Sequence, residues 1–242
     1  MLKKQRHEAI LDYLEEHRYA RVDDLSKITE TSEITIRRDI NELYEQGKLK
    51  KVYGGAEALN IVKEDSSYIN RSVENLPIKQ LLAKKASEYL KKGQRIYLDA
   101  GSTTHCLIPY LEDKDCTVFT HGVHHIEALS KLNIKTHIIG GMVKEDTLAA
   151  VGSTTLMYLS QFRFDVAFIG TNAVEPHFGF MTPDVNEAMV KKKIIEQSDE
   201  VYILAESSKF NRASNVTFAN KEIPVITNKN VGNAYIDFDV RV

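Results

Sequence analysis

The sequence predicts an α/β protein in two parts: a small, mostly helical unit, then a larger domain around a mostly parallel sheet. Three observations carry this. From Pro77 onward, short apolar runs recur as RIYLDA, TVFT, KTHIIG, VAFIG, VYILA and PVIT. Helical stretches lie between most of them, over 78–92, 123–132 and 186–198. The first 58 residues have a different texture, with apolar residues at helical spacing followed by a glycine-centred hairpin. Continuous apolar strands alternating with helices imply a sheet buried on both faces.

The chain has 242 residues, 43% hydrophobic and 27% charged, enough for a proper core. No apolar run approaches the roughly 20 residues of a membrane span, so no membrane partner is expected. The N-terminus MLKKQRHEAILDYLEEH is charged throughout, unlike a leader peptide, and a cytoplasmic protein is expected. Cys106 and Cys116 have no metal-type spacing and read as free thiols. The net charge of −2 advertises no nucleic-acid binding, so any such site must be local.

Taken in order, Lys3–His17 carries Ile10, Leu11 and Leu14 at helical spacing, without Gly or Pro. Val22–Thr29 predicts a shorter helix through Val22, Leu25 and Ile28. Ser32 offers an N-cap oxygen to a third helix, which stops at Gly47. KLKKVYGGAEAL then reads as a hairpin around Gly54-Gly55. Residues 60–76 are polar and irregular, a natural linker, and Pro77 suits the first turn of the next helix. The expected division is thus 1–58, a linker over 59–76, and 77–242.

On a helical wheel, Ile36, Ile40 and Leu43 share a narrow arc, and Arg38 points away from them. Arg37 and Asn41 flank Arg38 on one side and Thr35 on the other. A buried stripe opposite a Thr/Arg/Arg/Asn face, behind a short helix and a tight turn, is the layout of a helix-turn-helix recognition helix. Arg can fork onto guanine, Asn can pair with adenine, and either can hold a phosphate. Lys48, Lys50 and Lys51 are placed to touch phosphates as a wing. Ser32, Thr35, Arg37, Arg38, Asn41 and these three lysines are the candidate contacts to double-stranded operator DNA.

These residues carry a resemblance. TSEITIRRDINELYEQGKLKKVYGGAEA resembles the winged helix-turn-helix signature of the DeoR family of bacterial transcription regulators, through Thr35-Ile36-Arg37-Arg38-Asp39, Leu43, Gly47 and Gly54-Gly55-Ala56. The resemblance runs through nearly all of the chain. It implies a C-terminal half with the fold of sugar-phosphate isomerases, serving as a sensor of phosphorylated sugars. It also implies a cytoplasmic, oligomeric repressor of a sugar-use operon, a dimer or tetramer, released from DNA by its effector.

The residues make their own case for a phosphate. In DAGSTT, Gly101 permits close backbone approach, and Ser102, Thr103 and Thr104 offer hydroxyls and free amides at a helix start. The plain alternative is an N-cap, for which one hydroxyl would suffice. The repeat of the letters in AVGSTT reads as another helix start packed on the sheet. Strand ends supply further candidates: Asp99, Thr120, His121, Gly140, Gly141, Thr171 and Asn172. Lys209 can neutralise a phosphate or stand as a surface lysine. The family's Ser-Ser-Lys pattern favours the first, although Glu206 stands where the family usually has Asp. His121 likewise replaces a usual Asn and could donate to a sugar hydroxyl or sense pH. Glu187 and Lys191, four apart, read alone as a helix-surface ion pair. The family has a similar pair near its effector site.

His121 and His125 are also four apart, but no cysteine or HExxH context supports a metal, and none is expected. No cofactor is expected either. GxxxxGK[ST] is absent and no GxGxxG follows a strand, which makes a nucleotide-dependent enzyme a weak reading. An isomerase-like enzyme carrying a DNA-binding appendage remains the competing reading, since Asp99, Glu187 and Glu206 could serve as its base.

Overall fold

The computed structural model describes residues 1–242. The first unit comprises α1 (Lys3–His17), β1 (Tyr19–Arg21), α2 (Val22–Thr29), α3 (Glu33–Glu45), β2 (Leu49–Val52) and β3 (Gly55–Ala58). Its core gathers Ile10 and Leu14 of α1, Val22 and Leu25 of α2, and Ile36, Ile40 and Leu43 of α3, as the helical spacing predicts. The Ser32 hydroxyl accepts the Thr35 amide and starts α3. Antiparallel β2 and β3 pair Val52 with Gly55, so Tyr53 and Gly54 form the turn and Gly55 already belongs to the strand. A Cβ on Gly55 would stand 2.0 Å from the Ala20 carbonyl oxygen, so only glycine lets β1 close the three-stranded sheet.

The stretch 60–76, expected as an irregular linker, is ordered. β4 (Asn60–Val62) pairs in parallel with Arg212–Ser214 far down the chain. α4 (Tyr68–Val73) is capped by Ser67, whose hydroxyl accepts the Asn70 amide. Neither element shows in an apolar pattern: β4 is held by its backbone ladder and α4 buries no residue fully. α5 (Leu76–Ser87) follows, with Pro77 in its first turn.

The second domain continues β5 (Arg95–Leu98), α6 (Ser102–His105), β6 (Thr117–Thr120), α7 (Ile126–Lys131), β7 (Lys135–Ile138), β8 (Met142–Val143), β9 (Ala150–Val151) and α8 (Ser153–Leu159). Then come β10 (Phe164–Gly170), β11 (Ala173–Glu175), β12 (Gly179–Thr182), α9 (Val185–Glu196), β13 (Ser198–Leu204), β14 (Arg212–Ser214), β15 (Val216–Ala219), β16 (Val225–Ile226) and β17 (Val240–Arg241). Seven strands form one sheet in the order β17-β16-β13-β10-β5-β6-β7. Every neighbouring pair is parallel. Six of the strands are the six apolar runs, and β17 at the edge was not foreseen.

Alternation along the strands builds two cores. Ile96, Leu98, Val166 and Phe168 face Leu82, Ala83 and Ala86 of α5 and Leu129 of α7. Tyr97, Ala167 and Ile169 face Leu159 of α8 and Ala188, Val190 and Ile194 of α9. That face also covers the small antiparallel sheet β11-β12-β15 through Val174, Phe180 and Phe218. The chain runs outward from β5 through β6 and β7, then returns to build β10, β13 and β16 on the other side. The crevice at the carboxyl ends of β5 and β10 is the topological switch point of the sheet.

Candidate effector site and nucleic-acid interface

The reading head presents α3. Arg37, Arg38 and Asn41 are exposed, and Thr35 is half-buried. Arg37, Asn41 and Lys51 line one groove between α3 and the β2–β3 wing. Arg38 has no ion-pair partner, while Arg37 lies 3.5 Å from Glu33. The other two lysines depart from expectation. Successive strand residues face opposite sides, so Lys50 turns away from the α3–wing groove, bonds Glu57 at 3.0 Å and lines the cleft toward the second domain. Lys48 precedes β2 and lines a cleft with Leu11 and Glu15 of α1. Of the three, only Lys51 joins the recognition groove. Ser32 is spent on its cap, with its hydroxyl 3.0 Å from that of Thr35.

Beside the buried stripe of Ile36, Ile40 and Leu43, α3 also buries Asp39, only 1% exposed. Arg6 of α1 donates to both its carboxylate oxygens, at 2.5 and 3.0 Å, and His7 Nε2 lies 3.1 Å away. Burial opposes the charge, but these partners hold Asp39 below its ordinary pKa. The clamp ties α1 to the buried face of α3, opposite Arg37 and Arg38.

At the switch point, Asp99 follows β5. Its Oδ2 accepts from Lys191 Nζ of α9 at 2.5 Å and from the Gly170 amide at 2.9 Å. Its Oδ1 lies 3.5 Å from His121 Nε2, and His121 Nδ1 lies 2.8 Å from the Tyr97 hydroxyl. Burial works against the Asp99 carboxylate, but Lys191, His121 and the Gly170 amide hold its pKa below the usual range. Burial keeps His121 below its own, hence neutral near pH 7. Glu187 and Lys191 do not bond one another as a surface pair would. Both are buried, and Glu187 instead accepts from Lys144 (3.0 Å) and the Thr147 hydroxyl (2.9 Å).

One pocket is lined by Asp99, Gly101, Ser102, Thr103, His121, Thr171, Asn172, Glu187, Lys191, Glu206 and Lys209, all singled out from sequence. Four candidates lie elsewhere. Thr104 turns inward, and its hydroxyl donates to the Asp99 and Gly101 carbonyls, tying the turn. Thr120 is fully buried, 2.9 Å from His125 Nδ1. Gly140 and Gly141 follow the edge strand β7, two strands from β5, and pack on Thr155 at the start of α8. The wall missed by sequence reading comes from the supposed linker and from α5, through Arg71, Glu74 and Lys79, and from the turn before β9, through Thr147 and Ala149. Nε and Nη2 of Arg71 are buried with no hydrogen-bond partner. Lys79 donates to the Glu74 carbonyl (2.7 Å) and lies 3.8 Å from Glu206, which accepts from Asn75 (2.8 Å). Lys209 has no ion-pair partner.

The likeness to known proteins follows both halves. Residues 6–62 match the DeoR-like helix-turn-helix domain, and residues 74–229 match the DeoR C terminal sensor domain. The chain belongs to the DeoR family. Its relatives include an HTH-type transcriptional regulator of Bacillus subtilis named FruR, itself uncharacterized, 42% identical over 220 residues, which span 90% of this chain and 88% of that protein. The glycerol-3-phosphate regulon repressor of Escherichia coli is 27% identical over 222 residues, 91% of this chain and 88% of that one. Among solved structures, ribose 5-phosphate isomerase A of Methanocaldococcus jannaschii is 19% identical, covering 57% of this chain and 55% of its own, with a TM-score of 0.43.

As a DeoR-family member the chain is a DNA-binding transcriptional regulator, and its near relatives are named as regulators, not enzymes. The pocket chemistry agrees at one point. An isomerase base works best with a pKa near its operating pH, whereas Asp99 is pinned to Lys191 and held below the ordinary carboxylate value. No helix is long and apolar enough to cross a membrane.

Proposed function

We propose that this regulator is a repressor of a sugar-use operon, released from its operator when a phosphorylated sugar fills the pocket at the β5–β10 strand ends. One observation carries the reading: Arg71, whose Nη1 lies 3.6 Å from Asp65 while its buried Nε and Nη2 have no hydrogen-bond partner, lines the same pocket as Ser102, Thr103 and Lys209. A buried donor left unbonded costs about 1–3 kcal/mol, and a phosphate supplies its acceptors. Asp99, Glu187, Glu206 and Asn172 are suited to the hydroxyls of a sugar. A glycerol-3-phosphate regulon repressor among the relatives supports this chemical class.

Two features suit the pocket to signalling. Arg71 belongs to the segment that joins wing to sensor, so a phosphate that engages it pulls directly on the connection. The β11–β12 hairpin has Thr171 and Asn172 at its base in the pocket, and its tip meets the reading head, where His177 packs edge-on against Tyr44 of α3 at 4.7 Å. An effector that weakens operator binding is itself weakened by operator, by the same factor. The protein acts in the cytoplasm as a homo-oligomer, since helix-turn-helix proteins read paired half-sites.

The test is fluorescence anisotropy with DNA from upstream of its own gene, at fixed salt, against a panel of sugar phosphates. Release of specifically bound DNA by one of them, with no release by the unphosphorylated sugar, is the expected result. Specific binding that no sugar phosphate relieves overturns the effector assignment and leaves the DNA role standing.

A further inference from the structure

Behind the effector pocket lies a cluster that the pocket does not use. His105 closes the single turn of α6 that begins at Ser102, and His124 and His125 follow the turn after β6. Their three rings bring ligating nitrogens within 4.8 Å of one another. His105 Nδ1, both nitrogens of His124 and Nε2 of His125 are buried without any hydrogen-bond partner. His125 is 0% exposed. Buried, unsatisfied nitrogens on three rings whose ligating atoms come this close call for a common partner.

We infer that His105, His124 and His125 hold one divalent transition-metal ion of the zinc class. Three imidazoles with a water in the fourth position form a recurrent zinc set, and nitrogen donors select zinc, copper, nickel or cobalt over magnesium and calcium. The surroundings fit. Thr120 Oγ1 stands 2.9 Å from His125 Nδ1, so an Nδ1–H donated there orients the ring and frees the Nε2 lone pair, the usual support behind a metal-bound histidine. The Gly101 backbone is a second hydrogen-bond partner near the same ring. Of the charges that reach His124, Arg71 opposes a cation and Asp99 favours it. Tyr68 stacks on His124 at 3.6 Å and roofs the cluster. His105 also lines a surface cleft with Leu76, Gln80 and Cys106, which gives an ion a way in.

A second grouping, His7, Asp39 and Glu42, has comparable spacing. There Asp39 is already taken up by Arg6 and His7, so nothing is left unsatisfied. An ion at the first cluster would clamp α6, and with it Ser102 and Thr103, to the turn after β6.

The experiment uses tag-free full-length protein, stripped with chelator, dialysed against Zn²⁺ or Co²⁺ and passed over a desalting column. Retention of one metal per chain is expected, with the strong visible absorption of four-coordinate cobalt. His105→Gln and His124→Gln abolish retention, His7→Gln leaves it, and Thr120→Val, which removes the orienting oxygen and with it the acceptor of the Gly122 amide, weakens binding about 10–100-fold. No metal retained by the wild-type chain overturns the inference, whatever the variants do. So does the weak spectrum of six-coordinate cobalt, or retention that survives loss of His105 and His124 in variants whose circular dichroism matches wild type.

Discussion

Asp99 Oδ2 and Lys191 Nζ stand 2.5 Å apart, although 92 residues separate them in the chain. The contact joins the carboxyl end of β5 to α9 across the switch point, with both side chains buried. Removing one partner of a buried pair leaves an uncompensated charge, at about 3–5 kcal/mol. Lys191→Met is therefore expected to lower the urea midpoint sharply, and adding Asp99→Asn should recover part of the loss. A midpoint for Lys191→Met equal to wild type refutes the pairing.

On the reading head, Arg38→Ala is expected to cost about 1–3 kcal/mol at the operator while sparing non-specific DNA more. Lys51→Ala should weaken all sequences alike and lower the salt slope by about 1. Lys50→Ala, which only frees Glu57, should leave that slope unchanged. Anisotropy titrations at several salt concentrations separate the three. A lowered slope for Lys50→Ala with none for Lys51→Ala reverses their roles.

In the pocket, Arg71→Ala and Lys209→Ala each remove a charged donor worth about 1.5–3 kcal/mol, so the effector should bind about 10–100-fold more weakly. Operator affinity without effector should stay as it was. Isothermal titration with the active sugar phosphate, beside anisotropy on DNA, measures both. A variant that loses DNA binding as well has lost its fold.

These groups differ in how legible they were. Ile36, Ile40 and Leu43 could be read from spacing alone because a helix repeats every 3.6 residues, and six sheet strands could be read because burial on both faces demands apolar runs. The strand ends followed from topology, which brought Asp99, Ser102, Thr103, Lys191, Glu206 and Lys209 to one pocket. Arg71 escaped because its segment buries nothing fully and repeats nothing; tertiary folding alone carries it to the pocket. Gly140 and Gly141 misled because a glycine pair after a strand looks the same at a sheet's edge as at its centre. Asp39 is visible as part of a motif, but its burial beneath Arg6 is not.

Acid should destabilise the protein through its histidines. Burial holds His124 at about 3 and His125 well below its ordinary value. Unfolded imidazoles titrate near about 6.5. Below that pH the unfolded chain binds more protons than the native one, so stability rises with pH and falls on acidification. Each of these two rings contributes up to about 1.4 kcal/mol per pH unit below about 6.5. Urea unfolding in EDTA from about pH 7.5 to about pH 5 should show this slope, and His124→Gln should flatten it. Stability that does not change over that range excludes neutral, buried rings.

The hairpin offers the last test, because its two ends sit at different functions. Gly47 ends the reading helix at φ +63, and a Cβ there would lie 2.5 Å from Phe178 Cε2 at the tip of the β11–β12 hairpin. Phe178→Ala removes this touch point without altering the pocket or α3. Operator affinity without effector, and effector affinity without DNA, should both stay near wild type. The ratio of operator affinities with and without effector should shrink toward one. Reciprocity makes the check internal, since the effector's loss of affinity on adding DNA must shrink by the same factor. Gly47→Ala should disturb the same contact from the other side, adding backbone strain at a positive φ. An unchanged ratio in Phe178→Ala would mean that this touch point carries no signal, leaving the His177–Tyr44 contact and the Arg71 segment as the routes.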